Sequence, residues 1–322
     1  MSRNHRPAQE LIPLARKLRT VLIGKTHRRI GILAHLRRSG GGYGHSPMPL
    51  ATLVKLTPLW LCLVLGWPVY AIVNGETVEA ERYSSYVSIR RISSFPSQKG
   101  ADVNACGGTL VAPNWVLTAS HCRRVYEHLE SREVPVEVGV HIQADGTFAG
   151  RLRVVDYHLA PALLNGERVD AALLKLEGDA TEMGATVATL FEGPVTVGLP
   201  TITVGLGAGG IGVPLLGYTS VVAAPHHCDT PWVDFDPAHD FCVGIPESKQ
   251  RTGYGDSGGP IYAQGATPEE QVLLGLVKGG VKVDSSGTQE SEYIRYTQAN
   301  TLKHWIAEHT SELPNSGPNP GR

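Results

Sequence analysis

From residue 72 to 311 the apolar positions fall in short runs, rich in β-branched residues and separated by glycine and proline. The runs Val136–Ile142, Leu152–Val155, Ala171–Leu176, Thr201–Leu206, Tyr218–Val222 and Val272–Val277 have the length and composition of strands. Helical spacing shows at Gln298–Glu308, where Leu302, Trp305 and Ile306 share one face. Many short strands followed by a terminal helix predict an all-β fold, built as barrels or sandwiches. The Pro- and Gly-rich tail, residues 312–322, is expected to be disordered. No internal repeat is visible.

Gly205-Leu-Gly207-Ala-Gly-Gly210 fits the G-x-G-x-x-G pattern of dinucleotide binders. That pattern works only where a helix follows, because the phosphate rests on the helix N-terminus. Here Ile211-Gly-Val-Pro214 follows and cannot begin a regular amphipathic helix. The segment reads as a glycine-rich strand exit, and no cofactor is expected.

Ahead of this region lies a different kind of chain. Lys55 precedes an uncharged, largely apolar stretch from Leu56 to Ala71, which ends in Val69-Tyr70-Ala71. A charged start, a short apolar middle and a small-residue exit describe a secretory signal peptide. The helix breakers Pro58 and Pro68 argue against a core helix. The stretch is also shorter than the ~20 residues needed to span a bilayer. Met48 would open a leader of ordinary length, so residues 48–71 are assigned as signal peptide. Residues 1–47 are assigned as a basic leader that need not be translated.

The chain of 322 residues is 42% hydrophobic and 18% charged, which is ordinary globular composition. Its formal net charge of -1 gives no reason to expect nucleic acid as a partner. Ten basic residues crowd the first forty positions against one acid, Glu10, so the remainder is acidic. Export fits that basic segment better than a nucleic-acid arm does.

Of five cysteines, Cys62 lies in the leader and would leave with it. Cys106 with Cys122 and Cys228 with Cys242 remain, two pairs close in sequence, which in an exported protein read as disulfides closing short loops. Zinc at Cys228, Cys242 and one of His226, His227 or His239 is the rival reading, although the spacing matches no tight zinc motif.

Gly255-Asp256-Ser257-Gly258-Gly259-Pro260 carries the strongest chemical signal. A serine hydroxyl becomes a useful nucleophile when a base takes its proton and a carbonyl can approach it. Flanking glycines leave that approach open, and the N–H groups of Gly255 and Ser257 can together hold an oxyanion. Leu117-Thr-Ala-Ser-His121-Cys122 offers a histidine fixed beside a candidate disulfide. Asp170, immediately before the apolar Ala171–Leu176, offers the carboxylate that such a base requires.

With these motifs in the order His121, Asp170, Ser257, the chain resembles the chymotrypsin/trypsin family of serine proteases from Ile72 to about His309. Ile72-Val-Asn-Gly75, Cys106-Gly-Gly-Thr-Leu, Trp115–Cys122, Asp170-Ala-Ala-Leu-Leu, Gly255–Pro260 and the final Trp305-Ile306 carry the resemblance, and both cysteine spacings match family disulfides. It implies two six-stranded antiparallel β-barrels with a C-terminal α-helix over residues 72–311. It further implies a secreted serine endopeptidase that forms an acyl-enzyme, meets peptide substrates and protease inhibitors, and works as a monomer. Membrane contact would be limited to the leader. A catalytically silent module of the same fold is the alternative. The family's activating ion pair, between the freed amino group of the mature N-terminus and the acid before the catalytic serine, would be Ile72 with Asp256. The expected signal-peptidase cut after Ala71 would then also be the activating cut.

Arg251, Thr252, Lys278, Gly280 and Ser291 are the positions that the resemblance places around the substrate pocket. Arg251 stands where trypsin-like members carry an aspartate, and a cation there repels Lys and Arg side chains. It either attracts acidic side chains or turns to solvent. Gly253 replaces a family cysteine, and Lys278-Gly279-Gly280 replaces Ser-Trp-Gly. The first change removes a third disulfide; the second removes a hydroxyl near Asp170 and flattens the wall along the substrate strand.

Overall fold

The computed structural model describes residues 72–92, 100–126, 136–163, 168–245, 247–264, 272–282 and 290–311. The leader 1–47, the apolar segment 48–71 with Cys62, and the tail 312–322 lie outside them. No helix of the described residues is long and apolar enough to cross a membrane.

The first barrel comprises β2 (Tyr86–Ile92), β3 (Asp102–Ala112), β4 (Trp115–Thr118), β5 (Glu137–Ile142), β6 (Phe148–Leu159) and β7 (Ala172–Leu176). It closes in the order β2-β3-β4-β7-β6-β5, with β5 pairing back onto β2. The second comprises β9 (Pro200–Gly205), β10 (Leu216–Ala223), β11 (Asp240–Val243), β12 (Pro260–Ala263), β13 (Val272–Lys282) and β14 (Glu290–Gln298). It runs β10-β11-β14-β13-β12-β9 and closes through β9 and β10. The two-residue strands β1 (Glu76–Thr77) and β8 (Thr189–Leu190) pair with β10 and β13 from outside. All barrel pairings are antiparallel, as the resemblance implies.

Each barrel has its own apolar filling. Val87, Ile89, Val138, Val140, Leu174 and Leu176 fill the first; Val243, Ile261, Leu274 and Ile294 fill the second. A third cluster, with Tyr86, Leu117, Leu206 and Leu276 among its members, includes residues of both barrels. Closure removes the exposed edges that open sheets must protect.

Each expected strand coincides with an observed one, with Val136, Ala171 and Leu206 falling one residue outside β5, β7 and β9, and the larger differences have local causes. β13 extends past Val277 through Lys278-Gly-Gly because register shifts there keep the glycines paired with β14. The terminal helix begins later than its apolar spacing suggests: Gln298 remains in β14 and donates its N–H to the His239 carbonyl. A short 3-10 turn, Ala299–Leu302, which buries Leu302, then leads into the helix Lys303–Thr310, which buries Ile306. At Gly205–Gly210 the chain leaves β9 and turns without forming a helix.

Leu174 is wholly buried on β7 in the first barrel. Leu174→Ala should destabilise the fold by about 3 kcal/mol through lost transfer energy and the cavity left behind. Chemical denaturation of both proteins measures this, and a change under about 1 kcal/mol would mean the barrel collapses around the gap.

Candidate active site

His121 sits in a 3-10 turn, Ser120–Cys122, at the end of β4. The disulfide Cys106–Cys122 ties that turn back to β3. Its ring Nδ1 lies 2.7 Å from Asp170 Oδ2, and its backbone N–H donates to Asp170 Oδ1 at 2.9 Å. Ser120 Oγ donates to the same oxygen at 2.8 Å. Burial pushes the Asp170 carboxyl upward, but the hydrogen bonds from His121 and Ser120 outweigh it and hold the group below the ordinary carboxylate range. Asp170 is therefore an anion at neutral pH and can only accept. The His121 proton must sit on Nδ1, which leaves Nε2 as the basic nitrogen.

Gly255–Pro260 forms the turn that leads into β12, and it packs on the His121 segment by backbone. Gly107 N donates to the Ser257 carbonyl at 2.8 Å, and Cys122 Sγ lies 3.7 Å from that same oxygen. A Cβ on Gly258, whose φ is +73°, would meet Thr118 Oγ1 at 2.2 Å and Ala119 N at 2.6 Å. Gly255, with φ +92°, is equally constrained, since a Cβ there would lie 2.2 Å from the Gly207 carbonyl oxygen. Only glycine permits both the left-handed backbone and the close approach. The structure thus brings the segments bearing His121, Asp170 and Ser257 to one junction between the barrels.

Asp256 is fully buried. Its Oδ1 accepts from Gly207 N at 2.8 Å and its Oδ2 from Gly253 N at 2.7 Å. Burial raises its carboxyl to about 7 against those two hydrogen bonds. Ile72 is also fully buried, packed with Leu216 and Tyr218. The N-terminal segment is held by Val73, which bridges Arg251 through both backbone groups, and by Asn74 Nδ2, which donates to the Lys249 carbonyl. Asn74 takes φ +55°, a left-handed conformation that asparagine tolerates better than most residues.

Among the pocket candidates, Arg251 and Thr252 are half-buried, and Gly280 stands opposite Ile294 in the β13–β14 register. The Ser291 side chain lies outside the described residues. Lys278 makes a contact that its motif did not announce: Nζ donates to Asp240 Oδ2 at 2.7 Å and reaches Asp234 Oδ2 at 3.5 Å. The Asp240 side chain is 1% exposed and that of Lys278 11%. Burial raises the Asp240 carboxyl while Lys278 pulls it back down. Arg295 lies nearby, its Nη1 donating to the Asp234 carbonyl, and burial lowers its affinity for the proton. Gly253 uses the N–H of the position where relatives carry a cysteine to hold Asp256.

The disulfide Cys228–Cys242 settles the choice left open by the histidines around it, because those sulfurs are joined to each other. His227 instead stacks on Tyr293 with centroids 4.2 Å apart. Three contributors had no clear signature in the sequence. Ser120 is a small polar residue next to His121 with nothing in the sequence to give it a role, Asp240 is one acid among several in its stretch, and Asn104 lies in a strand that apolar patterning does not pick out.

A family model described as Trypsin matches residues 72–306. The chain is 30% identical to coagulation factor XII of Bos taurus, over 85% of this chain and 50% of that protein. It is 27% identical to serine proteinase stubble of Drosophila melanogaster, over 76% of this chain and 32% of that protein. It is 28% identical to kallikrein-7 of Homo sapiens, over 62% and 76% respectively. The chain thus spans half or less of the length of the first two relatives. With two closed barrels and this family match, the chain belongs to the trypsin family of serine peptidases.

Lys278→Met should leave the Asp240 carboxylate buried without its nearest cation and cost about 3 kcal/mol at pH 8. The loss should shrink at pH 5, where Asp240 can take up a proton. Denaturation of the variant at both pH values measures this, and an equal loss at each would assign the effect to packing alone.

Proposed function

We propose that the chain is a secreted serine endopeptidase in which Ser257 attacks the substrate carbonyl, His121 is the general base and Asp170 orients it. The observation that carries this reading is the 2.7 Å contact of Asp170 with His121 Nδ1, which directs Nε2 to act as the base. As the Ser257 hydroxyl adds to the carbonyl, its proton passes to His121 Nε2, and the N–H groups of Gly255 and Ser257 receive the oxyanion. His121 then protonates the leaving amine, and water hydrolyses the acyl-enzyme with His121 again as base. Asp170→Asn should lower turnover about ten-thousandfold, a magnitude set by the family's well-studied members and not by this chain.

A preference other than Lys or Arg is expected, because Arg251 stands where trypsin-like members carry an aspartate; the Lys278 charge is already met by Asp240. A peptide library incubated with protein that begins at Ile72, with Ser257→Ala as blank, tests activity and preference together. Cleavage by the native protein alone is expected. Acidic residues before the cut would place the Arg251 charge in the pocket, and apolar ones would place it in solvent. No cleavage at all would favour the silent binding module.

Activation is proposed to follow from export: a cut after Ala71 frees the Ile72 ammonium to pair with Asp256. The chain carrying its leader must bury a carboxyl that titrates near 7 in the fold against an ordinary 3.8. A folded value raised above the unfolded one means that the native state holds the proton more tightly. Its stabilising effect is complete below about pH 4 and is lost as pH rises through 7. Between pH 5 and 8 the uncut chain should lose about 3 kcal/mol of stability, and the cut chain should not. Denaturation of both forms at the two pH values decides this; parallel slopes would refute the ion pair.

A further inference from the structure

We infer that Asn104 is a positioning residue for the oxyanion site, held in place by a buried polar relay that begins at Arg90; this rests on the reading of Ser257 as nucleophile. Asn104 lies on β3, opposite Arg90 of β2, where Ala105 is inserted without a partner. Such a bulge increases local twist and re-aims neighbouring side chains. The Asn104 side chain is buried at the barrel junction, and its Nδ2 donates to two carbonyls of the second barrel: Gly207 at 2.6 Å and Gly255 at 2.8 Å. Its backbone N–H donates to Gly209 O at 2.9 Å. One amide therefore fastens the turn after β9 to the turn that carries the nucleophile.

The contact with Gly255 is the consequential one. Gly255 would supply one of the two N–H groups that receive the oxyanion, and a glycine at φ +92° has no side chain to resist rotation of its peptides. A hydrogen bond to its carbonyl anchors the peptide plane that follows, so that rotation about φ is the main freedom left to its own N–H. Misplacing a single oxyanion donor costs about 10²- to 10³-fold in turnover in enzymes of this kind.

The orientation of the Asn104 amide is itself specified. Ser88 Oγ lies 2.7 Å from Asn104 Oδ1 and donates to it, which leaves Nδ2 facing the two carbonyls. The Ser88 hydroxyl has only one proton, and it is committed to Asn104 because the same oxygen accepts from Arg90 Nη1 at 3.2 Å. Arg90 is 3% exposed, and its charge is met by Asp102, whose Oδ1 accepts from Nε at 3.0 Å. A buried cation thus polarises a hydroxyl, the hydroxyl polarises an amide, and the amide holds the Gly255 carbonyl. Bonds in such a chain strengthen one another in a medium of low dielectric.

Asn104→Asp keeps the shape and removes the donor, while Ser88→Ala leaves Asn104 in place without the hydroxyl that orients it. For Asn104→Asp and Asn104→Ala we expect kcat to fall 10- to 100-fold with KM changed less than threefold, and the affinity for a peptide boronate to fall in parallel. Ser88→Ala should lower kcat about three- to tenfold without loss of the folded protein, so the relay can be read even if the Asn104 variants fold poorly. Native-like kcat in Asn104→Asp, or a rise in KM that accounts for the whole loss, would overturn the inference. Amide NMR of Gly255 and Asp256 supplies a readout that does not depend on turnover. Broadened or shifted signals in Ser88→Ala are expected, and unchanged signals would overturn the inference. Absence of cleavage by the native protein would refute the peptidase reading and leave this second readout to judge the contact.

Discussion

Two backbones touch where the barrels meet, and most of the site follows from that contact. Gly107 of β3 donates to the Ser257 carbonyl, and a Cβ on Gly107 would lie 2.7 Å from Gly259 Cα. Gly258 approaches the end of β4 as closely, against Thr118 and Ala119. No side chain could occupy these places without parting the barrels. His121 belongs to the first barrel and Ser257 to the second, so their separation is set by glycine backbone, with no long side chain between to flex. This geometry also accounts for Cys106–Cys122, which holds the His121 turn against β3 beside the same contact.

Behind that junction the charges are arranged in two unlike ways. Asp170 is buried yet remains ionised, because His121 and Ser120 supply three hydrogen bonds to its oxygens. Its charge costs little beyond what those donors return. Asp240 and Lys278 are buried against each other, an arrangement that contributes little net stability but makes removal of either partner expensive. Lys278 follows Val277, whose N–H and carbonyl both pair with the Gly258–Gly259 turn. The ion pair therefore fixes the course of β13 just where the nucleophile loop leans on it, in place of the Ser-Trp-Gly wall of relatives. The glycines that follow, opposite Arg295 and Ile294, leave that edge bare of side chains.

The fold was readable where residues repeat a local rule. β-branched runs marked β5 and β9, an apolar run marked β7, and the glycine-flanked serine marked the turn proposed to carry the nucleophile, because each depends on neighbours in sequence. β2 and β3 were harder. Ser88, Arg90 and Asn104 are buried polar residues that break the apolar pattern, and their burial makes sense only once partners from distant strands and from the second barrel are in place. The start of the terminal helix is hidden for the same reason, since Gln298 is held by the carbonyl of His239, 59 residues earlier in the chain and just ahead of β11. The Lys278–Asp240 pair is likewise a contact between strands that no spacing reveals.

Asp256 and Asn104 grip the same two turns by different physics. Asp256 takes N–H groups from Gly207 and Gly253, and Asn104 gives N–H groups to Gly207 and Gly255. Gly207 is thus held at both ends of its residue, by a carboxylate at its nitrogen and by an amide at its oxygen. The carboxylate's grip depends on charge, because burial without a cation raises it to about 7 and makes proton uptake easy. The amide does not titrate, and its orientation is set from within the first barrel. On the activation proposed above, a cut that freed the Ile72 ammonium would alter the first grip and leave the second untouched. On this division of labour, the neutral amide would keep the Gly255 carbonyl in place before and after the proposed cut, and activation would have only to fix the Gly253–Asp256 side of the loop. The conformational change that the proposed cleavage demands would then be confined to a few residues next to Ser257, and the barrels would not need to move.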